Sequence, residues 1–336
     1  MHMADALLSP VVGGGLYAAS AAAVAYSAGK IKKDELGESR MPLIAVSGAM
    51  VFAAQMVNFT IPGTGSSGHI SGGILLAALL GPYACMLALS SVLVIQCLFF
   101  ADGGLLALGC NIFNIAVIPC LLVYPLLMKP VLSPSPSAKR IWIASVFSVI
   151  AALQIGAFLI VLQTTASGIA ELPFGAFALL MQPIHLAIGV VEGIVTAAIL
   201  GFVFAARPHI MAAHLKKLPE SPKNADVRII IVFAIIALVT AGGLSLLASP
   251  YPDGLEWSVE GAGAGAPVAE GGVQGFFAAL QERLSFMPDY GFKPGGGGTP
   301  AAGLIGAVLV FAAASAAMLI IRIYKKKRNN AVKPNP

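Results

Sequence analysis

The chain has 336 residues, of which 58% are hydrophobic and 10% charged, with a net charge of +5 and a mean hydropathy of +0.88. Soluble domains carry roughly 25% charged residues, so this composition excludes a soluble globular protein and places the chain in a membrane. The basic excess is therefore read by its position relative to the bilayer, not as a nucleic-acid footprint.

The chain opens Met1-His2-Met3. The Met1 α-amine and the His2 amide nitrogen can close a five-membered ring on a metal, and the same amide nitrogen and His2 Nδ1 a six-membered one. Three coplanar nitrogens with a fourth corner open suit Ni(II) or Cu(II) better than tetrahedral Zn(II). Alone, a histidine at position 2 is an ordinary polar start; it gains weight only beside a further nitrogen donor.

Apolar runs of about 20 residues cross a bilayer. They predict an all-α polytopic membrane protein with spans at 9–29, 42–60, 69–80, 83–100, 105–128, 141–165, 176–206, 229–248 and 301–321. The third and fourth are short, are separated by Gly81-Pro82 and can form one re-entrant hairpin. The seventh is long enough to tilt or kink. With the N-terminus outside, segments 30–40, 81–82, 129–140, 207–228 and 322–336 are cytoplasmic and hold 18 of the 20 Lys and Arg residues. Only Arg283 and Lys293 fall outside them. Nine spans with a cytoplasmic C-terminus thus satisfy the positive-inside rule in the cell membrane. Lys30, Lys32 and Lys33 follow the first apolar run instead of preceding it, unlike a secretory signal, so the first span is read as uncleaved.

The outer segment between the second and third spans runs from Gln55 to Gly73. Its glycines and Pro62 allow a tight turn close to something small. His69 stands there, on the same outer side as His2, where it completes the square plane as a fourth nitrogen. By itself it is an ordinary loop histidine. A ligating imidazole usually has its other ring nitrogen held by a partner; Asn58, Ser66 and Ser67 are best placed for this.

Cys85, Cys97, Cys110 and Cys120 lie in or at the ends of spans without C-x-x-C spacing and read as buried apolar thiols. His185 and Glu192 sit in the seventh span, where an ionisable group is a functional candidate. Seven residues apart, they share a helix face. His185 reads as an interhelical hydrogen bond or as a contact with the metal loop. Gly189 and Gly193 have G-x-x-x-G spacing, which favours close helix packing.

Residues 1–206 form a seven-span unit and 207–228 a basic, Pro-containing cytoplasmic linker with solvated His209 and His214. Residues 229–321 form a second unit of two spans around an external loop, 249–300. Gly261 to Ala266 and Gly295 to Gly298 are too poor in side chains to build a core. The loop acids Asp253, Glu256, Glu260, Glu270 and Asp289 either solvate a linker or attract a cation. The tail 322–336, with Lys325 to Arg328, anchors the last span and attracts anionic lipid.

No G-x-x-x-x-G-K-[ST] phosphate loop and no H-E-x-x-H occurs. A secondary-active metal transporter would show inverted repeats and paired intramembrane carboxylates, and neither is evident. An intramembrane metalloenzyme needs an open coordination position for water, which a four-nitrogen site lacks. A metal sensor has no evident output domain.

Met1 to Pro10, the Gly68-His69 loop and His185 to Gly193 together resemble the CbiM/NikM family over residues 1–206. These are the S components of energy-coupling-factor transporters for cobalt and nickel. Pro252-Asp253-Gly254-Leu255-Glu256 resembles the signature of the PDGLE domain, the CbiN/NikN-like partner, over 229–321. The resemblance implies a seven-span S component whose N-terminus folds into the bundle from outside. It implies a metal held by the Met1 amine, the His2 amide nitrogen and imidazole, and the His69 imidazole. It also implies Ni2+ or Co2+ as transported substrate with no catalytic cofactor. The implied partners are two cytoplasmic ATPase subunits and a transmembrane coupling protein, and the PDGLE loop is implied to help metal load. The run Gly63 to Ser67 is slightly longer than the family's Gly-Thr-Ser, which bears on loop geometry and not on the ligand. The Ala4-Asp5-Ala6-Leu7 opening is closer to NikM.

Such a chelate requires a deprotonated amide and an unprotonated amine, so affinity should fall as pH drops. The complex keeps one positive charge, which in a low-dielectric bundle calls for a carboxylate. Asp5, Asp102 and Glu192 are candidates.

Overall fold

The computed structural model describes residues 1–31, 40–133, 136–212, 225–263, 271–292 and 298–331. Lys32, Lys33, His214, Glu270, Lys293, Gly295 to Gly297 and most of the 207–228 linker lie outside these residues.

The chain is a helical membrane protein. The helices of the first unit are Pro10–Lys30 (α1), Arg40–Gln55 (α2), Gly73–Leu80 (α3), Pro82–Phe100 (α4), Leu108–Leu132 (α5), Ala138–Ser167 (α6) and Phe174–Ala206 (α7). Those of the second are Ala225–Gly242 (α8), Gly254–Gly261 (α9), Gly272–Leu284 (α10) and Thr299–Ala331 (α11). Helices α1, α4, α5, α6, α7 and α11 are long and apolar enough to cross a bilayer, while α2 and α8 are shorter apolar helices.

Local chemistry sets the boundaries. Ser9 caps α1 by accepting from the Val12 amide, and Pro10 follows at the first helical position, where its missing N–H costs nothing. Ser137 caps α6, which ends on Gly168 in the left-handed region. Within α5, residues Phe113–Met128 wind with the wider π repeat and contain Pro119 and Pro125, residues that cannot donate in a regular α ladder.

Two expected spans are corrected. The run 69–80 yields only the eight-residue α3, about 12 Å long and shorter than a full hydrocarbon span. Gly72 at φ 76° and Gly81 at φ 83° bound it. All eight of its residues are buried. The run 42–60 stops as a helix at Gln55. Phe59–Ile61 (β1) then pairs antiparallel with Ser66–Gly68 (β2), with Phe59 opposite Gly68 and Ile61 opposite Ser66. The turn between them uses Gly63 and Gly65 at φ 77° and 74°, conformations that glycine adopts without strain.

The G-x-x-x-G pair sits at a close crossing. A Cβ on Gly189 would lie 3.2 Å from Ile150 Cα, and one on Gly193 would lie 2.8 Å from Val146 Cα, so α7 meets the α6 backbone there.

The second unit shares a core with the first. Phe52, Ile95 and Phe100 pack in one buried cluster with Met287, Ala302 and Val310. The external loop, read from sequence either as a solvated linker or as a segment that attracts a cation, folds back onto the first unit and buries Leu255, Val259 and Met287. At the far end of α1, Lys325 Nζ donates to the Gly29 carbonyl at 3.0 Å and to the Ile31 carbonyl at 2.5 Å.

Candidate metal centre

The first eight residues thread into the bundle. Met3, Leu7 and Leu8 are buried. The Met3 amide donates to Asn111 Oδ1 at 2.8 Å, and the Met3 carbonyl accepts from the Gly104 amide at 2.8 Å. Asp5 Oδ1 accepts from the Ala107 amide at 2.9 Å, so this carboxylate anchors the 101–107 segment against the N-terminus.

That threading brings Met1, His2 and His69 together. The His2 and His69 rings stack with centroids 5.5 Å apart and planes 16° from parallel. His69 Nδ1 lies 3.0 Å from the Ile70 carbonyl. A carbonyl only accepts, so Nδ1 carries the proton and Nε2 keeps the lone pair, the arrangement in which a ligating imidazole is usually held. His2 Nδ1 lies 3.1 Å from Asp102 Oδ1, while its Nε2 is buried without a partner. To chelate through Nδ1, the ring must leave Asp102. Among the described residues, no group of three or more His, Cys, Asp or Glu side chains converges as a metal cluster. A site drawing on a terminal amine, an amide and two imidazoles lies outside that pattern.

The carboxylate beside the Met1 amine is Asp253, at 2.7 Å. Asp253 Oδ1 also accepts from the Leu255 and Glu256 amides at 2.8 and 2.9 Å, and Glu256 Oε2 accepts from the Asp253 amide at 3.2 Å. This capping box starts α9. The same carboxylate thus caps a helix and holds the chain terminus. Trp257 Nε1 donates to the Thr64 carbonyl at 2.9 Å, fixing α9 to the hairpin.

The predicted supporting residues divide. Ser66 and Ser67 do not orient an imidazole. The Ser67 amide donates to the Pro252 carbonyl at 2.8 Å, its hydroxyl donates to the Tyr251 carbonyl at 2.8 Å, and the Ser66 hydroxyl lies 3.4 Å from the Pro252 carbonyl. The hairpin's polar groups are therefore spent on the 251–253 backbone. The Asn58 carbonyl accepts from the Ser249 amide at 2.9 Å. Glu192 accepts from the Ser71 amide (2.9 Å), the Ser71 hydroxyl (2.7 Å) and the Gly72 amide (2.9 Å), holding the backbone just after His69. Of the acidic residues, Asp253 meets the Met1 amine and Asp102 meets His2 Nδ1, whereas Asp5 and Glu192 bond the Ala107 amide and the Ser71–Gly72 segment. His185 is buried in α7, with Nδ1 2.8 Å from its own helix's Met181 carbonyl.

Beside the two rings lies a cavity of about 480 Å³, bordered among others by His2, His69, Asp102, Asp253, Glu256 and Tyr290. Tyr290 donates to Asp102 Oδ2 at 2.5 Å. Ala101 and Tyr290, next to and at this contact, have φ of 54° and 57°, strained values that cluster at functional sites. Burial pushes the His69 imidazole down to about 4, with the Met1 amine and His2 adding to the effect. Burial also lowers His2, partly offset by Asp102. For Asp253, burial opposes ionisation, but the Met1 amine overcomes it and holds the carboxyl well below its usual range. Burial and Asp253 together raise Glu256.

The sequence marks Asp253 only as one of several loop acids; its pairing with Met1 and the docking of α9 on the hairpin join residues too far apart in the chain to be read from it. The cysteines are buried as expected, but Cys85 and Cys120 meet, with sulfurs 2.8 Å apart.

Comparison with known proteins agrees with this architecture. Residues 2–210 match the CbiM family model, described as a cobalt uptake substrate-specific transmembrane region, and residues 227–323 match the PDGLE domain. The chain is 32% identical over 316 residues to the fused nickel transport protein NikMN of Rhodobacter capsulatus, covering 86% of this chain and 88% of that one. It is 30% identical over 174 residues to the cobalt transport protein CbiM of Sorangium cellulosum, covering 51% and 76%. A crystal structure of a transition metal transporter superposes with a TM-score of 0.52 at 28% identity, covering 65% of this chain and all of that one. The chain therefore belongs to the CbiM family of metal transport proteins, and a PDGLE domain is fused behind it.

Proposed function

We propose that this protein is the substrate-binding membrane component of an energy-coupling-factor importer for Ni2+ or Co2+. The metal is held by the Met1 amine, the His2 amide nitrogen and imidazole, and His69. The observation that carries this reading is the convergence of a partly buried chain terminus with two stacked histidines, of which His69 keeps the lone pair on Nε2. A planar nitrogen set favours nickel over cobalt, and the fused NikMN relative points the same way. Asp102 and Asp253 supply the negative charge that the complex needs.

The protein contributes no ATPase site, so energy comes from two cytoplasmic ATPases and a transmembrane coupling protein that contact its basic cytoplasmic face. Residues 1–206 act as the S component and 229–321 as the PDGLE unit, in the cell membrane with the N-terminus outside and the C-terminus inside.

Metal content in two purified forms tests this. The native chain should retain about one Ni or Co. A form with one alanine ahead of Met1 keeps both imidazoles but turns the amine into an amide, and should retain none. Equal metal in both forms would remove the amine from the site.

A further inference from the structure

Helix α10 has the reverse polarity of a core helix. Its polar side chains face the protein. Gln274 Nε2 donates to the Leu8 carbonyl at 3.1 Å, and Gln281 Nε2 donates to the Cys97 and Gly103 carbonyls at 2.9 and 2.7 Å. Its large apolar side chains face away. Val273, Phe276, Leu280 and Leu284 are 37–64% exposed, and their spacing of three or four residues sets them in one stripe. A contiguous exposed apolar patch of this kind marks a contact surface.

The depth of the helix narrows what that stripe meets. The Cys97 carbonyl belongs to the last turn of α4, a helix long and apolar enough to cross the bilayer, so Gln281 sits about 5 Å from the end of that helix. The Met287 amide donates to the Phe99 carbonyl at 3.3 Å. The half-exposed Phe286 ring packs on Phe99 and Phe100, with centroids 5.6 and 5.9 Å apart. Helix α10 thus lies across the end of a spanning helix, where hydrocarbon gives way to headgroups.

Its direction narrows it further. Ala278 and Gln281 border the cavity of about 480 Å³ beside the metal centre. Phe276 and Leu280 each stand two residues from Ala278, about 200° round the helix. The stripe therefore points away from that polar cavity, toward the periphery of the bundle. Glu282, four residues on from Ala278, lies on the Ala278 side of the helix instead.

We propose that α10 is an interfacial helix. Val273, Phe276, Leu280 and Leu284, with Phe286 beside them, seat between the headgroups and acyl chains of the leaflet on the metal-centre side. An amphipathic helix lies in that plane with its apolar face dipped into the lipid. The occupant is lipid and not a second copy of the chain. The stripe stands at the rim, continues through Phe286 onto the wall of α4, and carries no charged or hydrogen-bonding side chain to fix a protein partner. Because the inner face of α10 bonds Leu8 and the 97–103 turn, the bilayer holds the helix against the N-terminal segment.

Nitroxide labels on the full chain test this. The four native cysteines are buried, so a cysteine placed at an exposed position takes the label. Phe276→Cys, Leu280→Cys and, on the other side, Glu282→Cys are labelled separately and reconstituted in phosphatidylcholine vesicles. Power saturation then compares oxygen, which concentrates in lipid, with chromium oxalate, which stays in water. The ratio of oxygen to chromium oxalate accessibility should be severalfold higher at Phe276→Cys and Leu280→Cys than at Glu282→Cys. Equal ratios at all three positions place the stripe in water and overturn the proposal. Protection of both stripe positions from both reagents shows a protein covering them and overturns it too. Two stripe positions keep the outcome independent of either substitution.

Discussion

Asp253 Oδ2 lies 2.7 Å from the Met1 amine across 252 residues of sequence. The PDGLE segment therefore forms one wall of the candidate metal centre, and the same carboxylate starts α9. If the Met1 amine is a metal ligand as proposed, metal binding and PDGLE docking act on one pair of atoms.

This pairing has a definite pH signature. The Asp253 carboxyl is held below its unfolded value, despite burial, mainly by the Met1 amine. Its stabilisation is fully present above the unfolded value of about 4 and is lost as pH falls toward the depressed folded value. Asp253→Asn keeps an N-cap acceptor but loses the ion pair. Metal-free variant and native chain should differ in melting temperature by a constant amount from pH 7 to about 5, and the gap should narrow below about pH 4. A gap independent of pH down to pH 3 would remove the charge from the account.

His69 acts in the same direction over a higher pH window. Its folded value, near 4, lies below the ordinary histidine value, so the unfolded chain takes up the proton first. Native stability should decline between about pH 6.5 and 4 relative to His69→Gln, which does not titrate. Paired thermal melts of the metal-free proteins across that window measure this.

Glu192 accepts three hydrogen bonds from Ser71 and Gly72. Glu192→Gln replaces one acceptor oxygen with a donor and strands a buried amide or hydroxyl, costing about 1–3 kcal/mol. Because those groups directly follow His69, bound metal should also dissociate faster. Unchanged dissociation alongside a lowered melting temperature would confine Glu192 to stability.

Gly68 has no room for a side chain: a Cβ would lie 2.5 Å from Ile188 Cγ1. Gly68→Ala should displace the neighbouring His69 and weaken metal binding by about tenfold or more. Adding Ile188→Ala removes the opposing atoms and should restore much of the affinity. Competition with a chromophoric chelator reads both steps.

The chain has two tryptophans. Trp142 is 43% exposed on α6, and Trp257 bonds to the Thr64 carbonyl of the hairpin. In a Trp142→Phe background, emission reports α9 docking alone. Ni2+ should change it, whereas the same addition to the alanine-extended chain should not.

The spans could be read because hydropathy is summed over neighbouring residues, and the six long helices fall where apolar runs predicted them. His2 and His69 stood out because a donor at a chain terminus and another in a glycine-rich loop are visible locally. The hairpin was obscured because Phe59 and Ile61 extend the apolar run of α2, although Pro62 and Gly63 signalled a turn. Ser66 and Ser67 were assigned to an imidazole because sequence offers only near neighbours as partners. The acceptors of the Ser67 hydroxyl lie more than 180 residues away, and the Ser66 hydroxyl lies between the adjacent Ser67 carbonyl and that of Pro252. Asp102 was one of three equal candidates, and only the fold sets it at 3.1 Å from His2.

Lys325 gives the fusion a second attachment. Its ammonium closes on the Gly29 and Ile31 carbonyls at one end of the bundle, while Asp253 closes on Met1 at the other. Between these ends run the shared apolar contacts of Phe52 and Phe100 with Ala302 and Val310. With both ends stapled, the two units should stay together without a continuous peptide between residues 212 and 225. Two separately made polypeptides, divided there, should still assemble side by side and copurify as a working pair.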